Sequence, residues 1–309
     1  MNTHTSALTS SSARAALVNT KVLSLRKKGR HASSSSSSSG KQTKKQTMII
    51  KAVSNSVTPD NDWGESTQAV HNGERGGRPR ISDSLTTPIV CTSTYTFKDT
   101  KELIDYQEGN YGSFEYGRYG NPTTRAVEEK IRLLEGGDDC LLSASGMCTA
   151  VTMLLSLVPA GGHIVTTTDC YRRTRQFIQT FLPKMGITST VLDPSDYDGL
   201  QKALDEHDCS LYFSESPTNP YLRCVDIDRI SKMCKPKGCL VCIDGTFATP
   251  CNLKPLKFGA DLVIHSASKY MGGHNDVLAG VIVGQKEAVS KVRAFHNIVG
   301  GVLDPHAAY

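Results

Sequence analysis

Two alternating hydrophobic rhythms limit the fold of this chain more than any other feature. Short apolar runs alternate with stretches whose apolar residues recur three and four apart. The runs are "DCLLSAS", "HIVTTT", "ITSTVLD", "CSLYFSES", "CLVCIDG", "ADLVIHS" and "GVIVG". Several are apolar throughout rather than at every second residue, so both faces of the sheet they form must be covered. Strands of this kind separated by helices predict an α/β fold with a parallel or mostly parallel sheet between helix layers. The helices carry end signals. In "NPTTRAVEEKIRLLEGG", Asn121 or Thr123 can cap the start and Gly136 can stop it. Val127, Ile131 and Leu134 line up as one apolar stripe. "DYDGLQKALDEH" places Leu200, Ala203 and Leu204 on one side in the same way. There is no internal repeat, no G-x-G-x-x-G after a strand and no G-x-x-x-x-G-K-[ST], so neither usual nucleotide fingerprint is present.

Charge divides the chain in two. Residues 1–59 hold ten of the 35 Lys and Arg residues and no acid, the first acid being Asp60. The remainder has 25 bases against 30 acids, so the net +5 belongs to the leader. The leader also has a serine run, Ser33–Ser39, and no apolar h-region. An Arg- and Ser-rich, acid-free start of this kind predicts an organelle transit peptide. A nucleic-acid-binding tail is the competing reading, but no aromatic residue precedes Trp63 to stack on a base. Neither nucleic acid nor a membrane is an expected partner, since no stretch approaches the roughly 18 apolar residues of a span.

Ten cysteines are scattered from Cys91 to Cys251. Cys239 and Cys242 have the C-x-x-C spacing of zinc or redox sites. They fall in an apolar strand, however, where residues three apart point to opposite faces. All ten are read as reduced, buried thiols that pack as small apolar groups.

In open α/β sheets, ligands collect beyond the carboxyl ends of the strands. The sequence puts "SGM" (145–147) after the first strand and Tyr171 after the second. "SESPTNP" (214–220) contains Asn219, Asp244 closes "LVCID", and "SASK" ends at Lys269. Each residue alone has an ordinary explanation: a packed tyrosine, a common turn, a helix cap, a solvated lysine. Together they suit pyridoxal 5'-phosphate, which needs an amine, a carboxylate for its ring nitrogen, an aromatic cover and a phosphate cradle. Asp244 after an apolar strand is costly unless a cation meets it, and a protonated pyridine nitrogen is such a cation. Lys269, desolvated, is the expected Schiff-base amine. Gly146 and Met147 offer backbone N–H groups at a helix start. Ser266 and Ser268, on either side of Ala267, can point hydroxyls at the same phosphate.

The phrases "FEYGRYGNPTT", "ESPTNP", "IDGTFATP" and "GADLVIHSASKYMGGHNDVLAG" resemble the Cys/Met-metabolism family of pyridoxal-phosphate enzymes. The resemblance begins near residue 70 and continues to the last residue. It implies the aspartate-aminotransferase-like type I architecture, with a leader over 1–65, an arm over 66–120 contacting a neighbouring subunit, and a cofactor-binding large domain over 121–309. It implies a homo-oligomer, usually a tetramer built from dimers with shared sites. By resemblance, Lys269 binds the cofactor aldehyde, Asp244 pairs its ring nitrogen, and Tyr171 stacks on the ring and assists proton transfer. Gly146, Met147, Ser266 and Ser268 hold the phosphate, and Asn219 meets the ring's 3' oxygen. Tyr116 and Arg118 reach the phosphate of the neighbouring subunit's cofactor. The longer phrases point to plant-type members, which join cysteine to O-phosphohomoserine in a γ-replacement within the chloroplast. Arg172 and Arg173 are candidates for that substrate's phosphate. The alternatives are a γ- or β-lyase on the same scaffold, or a non-catalytic chain that binds the cofactor. The family's second domain, which supplies the arginine for the substrate α-carboxylate, has no counterpart after Tyr309, so that role is left unassigned.

Overall fold

The computed structural model describes residues 86–309. The expected leader, 1–65, and the first part of the expected arm, 66–85, lie outside the described residues. Residues 86–120 contribute helix α1 (Thr100–Gln107), capped by Asp99, and a single bridge between Thr94 and Tyr116. They add no strand to the sheet.

From Asn121 the chain alternates as its sequence predicts. Helix α2 (Pro122–Glu135) starts where Asn121 accepts hydrogen bonds from the N–H groups of Thr123 and Thr124, and it stops at Gly136 in the left-handed conformation. Then follow β1 (Asp139–Ser143), α3 (Gly146–Leu157), β2 (His163–Thr167) and α4 (Arg172–Thr180). Next come β3 (Thr188–Leu192), α5 (Tyr197–Glu206), β4 (Cys209–Glu215) and α6 (Ile227–Cys234). The chain continues through β5 (Leu240–Asp244), β6 (Leu262–His265), β7 (Gly280–Gly284) and α7 (Lys286–Val299).

The seven strands form one sheet in the order β1-β7-β6-β5-β4-β2-β3. Strands β3, β2, β4, β5 and β6 pair in parallel, and β7 runs antiparallel to both of its neighbours. Alternate residues of the central strands enter different cores. Ile164, Leu211, Phe213, Cys242, Leu262, Ile264 and Ile282 join Met153 and Leu154 of α3 and Val289 and Val292 of α7. Their neighbours Val165, Tyr212, Val241 and Ile243 join Leu200 and Leu204 of α5 and Ile230 of α6. Val263, Val281 and Val283 pack with Ile131 of α2. Burying each large aliphatic side chain contributes about 1.5–3 kcal/mol. Cys242 lies in β5 and Cys239 just before it, in separate cores, and all ten cysteines are free. Not all are buried: Cys91, Cys224 and Cys251 are exposed and Cys148 is partly so, because the first three lie outside the strands.

The stripe expected on α2 is corrected. Leu134 is 51% exposed, and the buried face is Glu128, Ile131 and Glu135. The helix turns this way because both carboxylates find enclosed partners. Glu128 accepts from Leu142 N at 3.0 Å and pairs with Arg293, and Glu135 meets His265. No helix among the described residues is long and apolar enough to cross a membrane.

Candidate active site

The parallel strands end at one edge of the sheet, and a cavity of about 600 Å³ opens there. It is lined by Gly146, Met147, Tyr171, Asn219, Asp244, Ser266, Ser268 and Lys269 among others. Eight of the residues singled out in the sequence therefore share one space. Register accounts for the neighbourhood: Glu215, the last residue of β4, pairs with Asp244, the last of β5, which pairs with Ile264 of β6. Lys269 follows on a turn in which its N–H donates to Ser266 O and Gly273 N donates to Lys269 O.

The start of α3 approaches the turn after β6 closely. A Cβ on Gly146 would lie 2.8 Å from Ser266 Cβ and 2.9 Å from Ser266 Cα. A Cβ on Gly280 would lie 2.2 Å from Ser145 O, so β7 also holds the helix start in place. Ser145 caps α3 by accepting from Cys148 N. The N–H groups of Gly146 and Met147, in the first turn, have no intrahelical acceptor and suit an anion at the positive end of the helix.

Asp244 lines the same space. Its Oδ1 accepts from Thr246 Oγ1 at 2.5 Å and from Thr246 N at 3.0 Å, while Oδ2 has no hydrogen bond among the described residues. Burial pushes its carboxyl above the usual range, against the opposing pull of Thr246, His265 and Lys269. Beside it, Glu215 is only 5% exposed. Its Oε1 accepts from Tyr171 N and its Oε2 from Asn219 N at 3.2 Å. Burial and the charge of Asp244 push the Glu215 carboxyl up to about 8, while the N–H groups of Asn219 and Tyr171 act the other way. Two adjacent carboxylates, Glu215 buried and Asp244 half-buried, favour a cation between or beside them. A free Asp244 oxygen, unpaired helix N–H groups and a lysine facing one cavity match the ring nitrogen, phosphate and aldehyde of pyridoxal phosphate.

Some expectations change. Lys269 is exposed rather than desolvated, since Tyr270, Asn275 and Leu278 around it are themselves exposed. Ser268 Oγ is engaged by Ala279, donating to its carbonyl at 3.2 Å and accepting from its N–H at 2.9 Å, so it is not free for a phosphate. Ser266 Oγ has no hydrogen bond among the described residues. Arg172 and Arg173 are exposed at the start of α4 and outside the cavity lining, and Arg173 donates to Gln176 Oε1 at 2.9 Å. Tyr116 and Arg118 line a different cavity of about 680 Å³. There the Arg118 guanidinium lies over the Tyr116 and Tyr119 rings and donates to Asn297 O. Glu215 was not anticipated. Its signal in the sequence is an acid closing a buried strand, the feature that singled out Asp244.

Residues 66–309 match the Cys/Met metabolism PLP-dependent enzyme family. The chain belongs to that family. Pyridoxal phosphate is accordingly its cofactor. The chain is 62% identical to the chloroplastic cystathionine γ-synthase 1 of Nicotiana tabacum over 79% of its own length and 45% of the relative's. Against the enzyme of the same name in Arabidopsis thaliana it is 61% identical, over 79% and 44%. The chain thus spans about half the length of the curated relatives it matches. The crystal structure of cystathionine γ-lyase from Lactobacillus plantarum, complexed with L-serine, superposes with a TM-score of 0.66. It is 34% identical and covers 78% of this chain and 60% of that one. The type I architecture read from the sequence holds.

Proposed function

We propose that this chain is the cofactor-binding part of a plastid cystathionine γ-synthase, which joins cysteine to O-phosphohomoserine to give cystathionine. The observation that carries this reading is its far higher identity to the two plant synthases than to the bacterial lyase, on a cavity with Lys269, Asp244 and Tyr171 together.

When bound, pyridoxal phosphate supplies an aldehyde carbon for amine attachment and a ring that accepts electrons. Lys269 would hold the aldehyde carbon through Nζ and would be the group that takes and returns protons at substrate Cα and Cβ. Asp244 Oδ2 would hold the proton on the ring nitrogen. Tyr171 would cover the ring face and assist proton transfer, and Asn219 would hydrogen-bond the ring oxygen. Gly146 and Met147 N–H groups, with Ser266 Oγ, bind the phosphate; Ser268 joins them only if its hydroxyl leaves Ala279. The net exchange replaces phosphate on substrate Cγ with the cysteine sulfur. Arg172 and Arg173 are assigned to the substrate phosphate as the nearest guanidinium pair in sequence to Tyr171. Tyr116 and Arg118 are assigned to a neighbouring subunit's cofactor in a homotetramer, which agrees with their lining a different cavity from that of this chain's own Lys269.

A product assay tests the reading. Cystathionine formed from cysteine and O-phosphohomoserine supports it. Pyruvate or 2-oxobutyrate from cystathionine, with no synthesis, overturns it in favour of a lyase. Plastid import of a reporter carrying residues 1–65 checks the location, and retention of the reporter in the cytosol contradicts it.

A further inference from the structure

Tyr171 and Asn219 reach the cavity from different segments, one after β2 and one after β4. Their side chains are both exposed, and neither segment is a regular element at that point. What joins them is a single side chain. We propose that Glu215 is a positioning residue of this cavity, tying the backbone of Tyr171 to that of Asn219 so that both side chains meet the same ring.

The inference rests on the cofactor reading above and adds a residue to it. Glu215 closes β4, and its backbone is fixed in the sheet by pairing with Asp244. Its two oxygens divide the work: Oε1 takes the Tyr171 N–H and Oε2 the Asn219 N–H. Helix α4 has no side-chain cap of its own at Tyr171, so this carboxylate is the acceptor at its start. A carboxylate presents acceptors on both arms, whereas an amide presents a donor on one and leaves an N–H facing it. That explains an acid here despite its cost. Glu215 is buried, with Asp244 of β5 and Asp169 after β2 as negative neighbours and Cys170 close by. Lys269 counters Asp244 from the turn after β6. In the unloaded chain, burial and these acids push the Glu215 carboxyl up to about 8; a cation beside Asp244 would favour the ionised form, in which both oxygens accept.

The test compares wild type, Glu215→Gln and Glu215→Asp in the full chain loaded with pyridoxal phosphate. Two quantities are read: the cofactor dissociation constant by fluorescence titration, and the visible circular dichroism per bound cofactor, which reports ring orientation. Glu215→Gln is expected to bind roughly tenfold more weakly and to lose at least about half of the visible signal. Glu215→Asp, one methylene shorter but still an acceptor on both arms, recovers part of it. A role in stability alone would lower the melting temperature and leave the signal per bound cofactor unchanged, and that result overturns the proposal. If Glu215→Gln does not fold, Glu215→Asp decides: an intermediate signal supports the proposal and a wild-type signal overturns it. If wild type shows no visible band that depends on Lys269, the cofactor reading itself fails, an outcome separate from any behaviour of the variants.

Discussion

Replacing Glu135 with glutamine removes one half of a contact sealed from water. Glu135 is 0% exposed and His265 is 1% exposed, with Glu135 Oε1 2.5 Å from His265 Nε2. Glu135 Oε2 and His265 Nδ1 have no hydrogen-bond partner among the described residues. Both side chains are closed to bulk solvent, so breaking the contact leaves an uncompensated buried group, which costs about 3–5 kcal/mol. Glutamine keeps the volume and one acceptor oxygen, which puts the expected loss near 3 kcal/mol, at the lower end of that range. In a domain of this size each kcal/mol moves the melting temperature by about 2–4 °C, so a fall of roughly 6–12 °C is expected. The effect extends toward the site, because His265 ends β6 and immediately precedes the Ser266–Lys269 turn. The assay is urea unfolding of wild type, Glu135→Gln and the double variant Glu135→Met with His265→Leu. The double variant replaces both polar partners with apolar groups of similar volume and is expected within about 1 kcal/mol of wild type. If Glu135→Gln unfolds within about 0.5 kcal/mol of wild type, the pair does not hold β6 against α2 and the reasoning is refuted.

Two further outcomes follow from the geometry. Gly146→Ala places a Cβ within 2.8 Å of Ser266 Cβ. A loss of about 1–3 kcal/mol in the melt, together with weaker cofactor binding, is expected from pushing α3 off the turn after β6. Unchanged binding would mean the helix start is not the phosphate seat. Glu215 is raised from its ordinary 4.5 to about 8, so the folded unloaded chain binds more protons than the unfolded chain between those values. Its contribution to stability is present below about pH 4.5 and is lost as pH rises through about 8. Urea midpoints across that window are expected to fall in wild type and to fall less in Glu215→Gln, and parallel curves would contradict the assignment.

The central strands were legible because their residues are apolar on both faces, as Ile164 with Val165 and Cys242 with Ile243 show. The antiparallel direction of β7 was less so, since it depends on pairing with β1, far away in the chain. Lys269 and Asp244 could be found because each is a polar residue placed where a buried strand ends. Glu215 obeys the same rule but was read as part of the polar phrase "SESPTNP", when it is the final residue of β4. Leu134 and Glu135 exchanged roles because the partner that makes Glu135 worth burying, His265, is distant in sequence. Ser268 had the right position for a phosphate ligand, but its hydroxyl is committed to Ala279, a residue that only the return of the chain into β7 brings near.

The most direct test of the account is to load the chain with pyridoxal phosphate, reduce it with borohydride, and map the modified peptide by mass spectrometry. The account predicts the pyridoxyl adduct on Lys269, absent in Lys269→Ala. An adduct on another lysine, or none in folded protein, contradicts it.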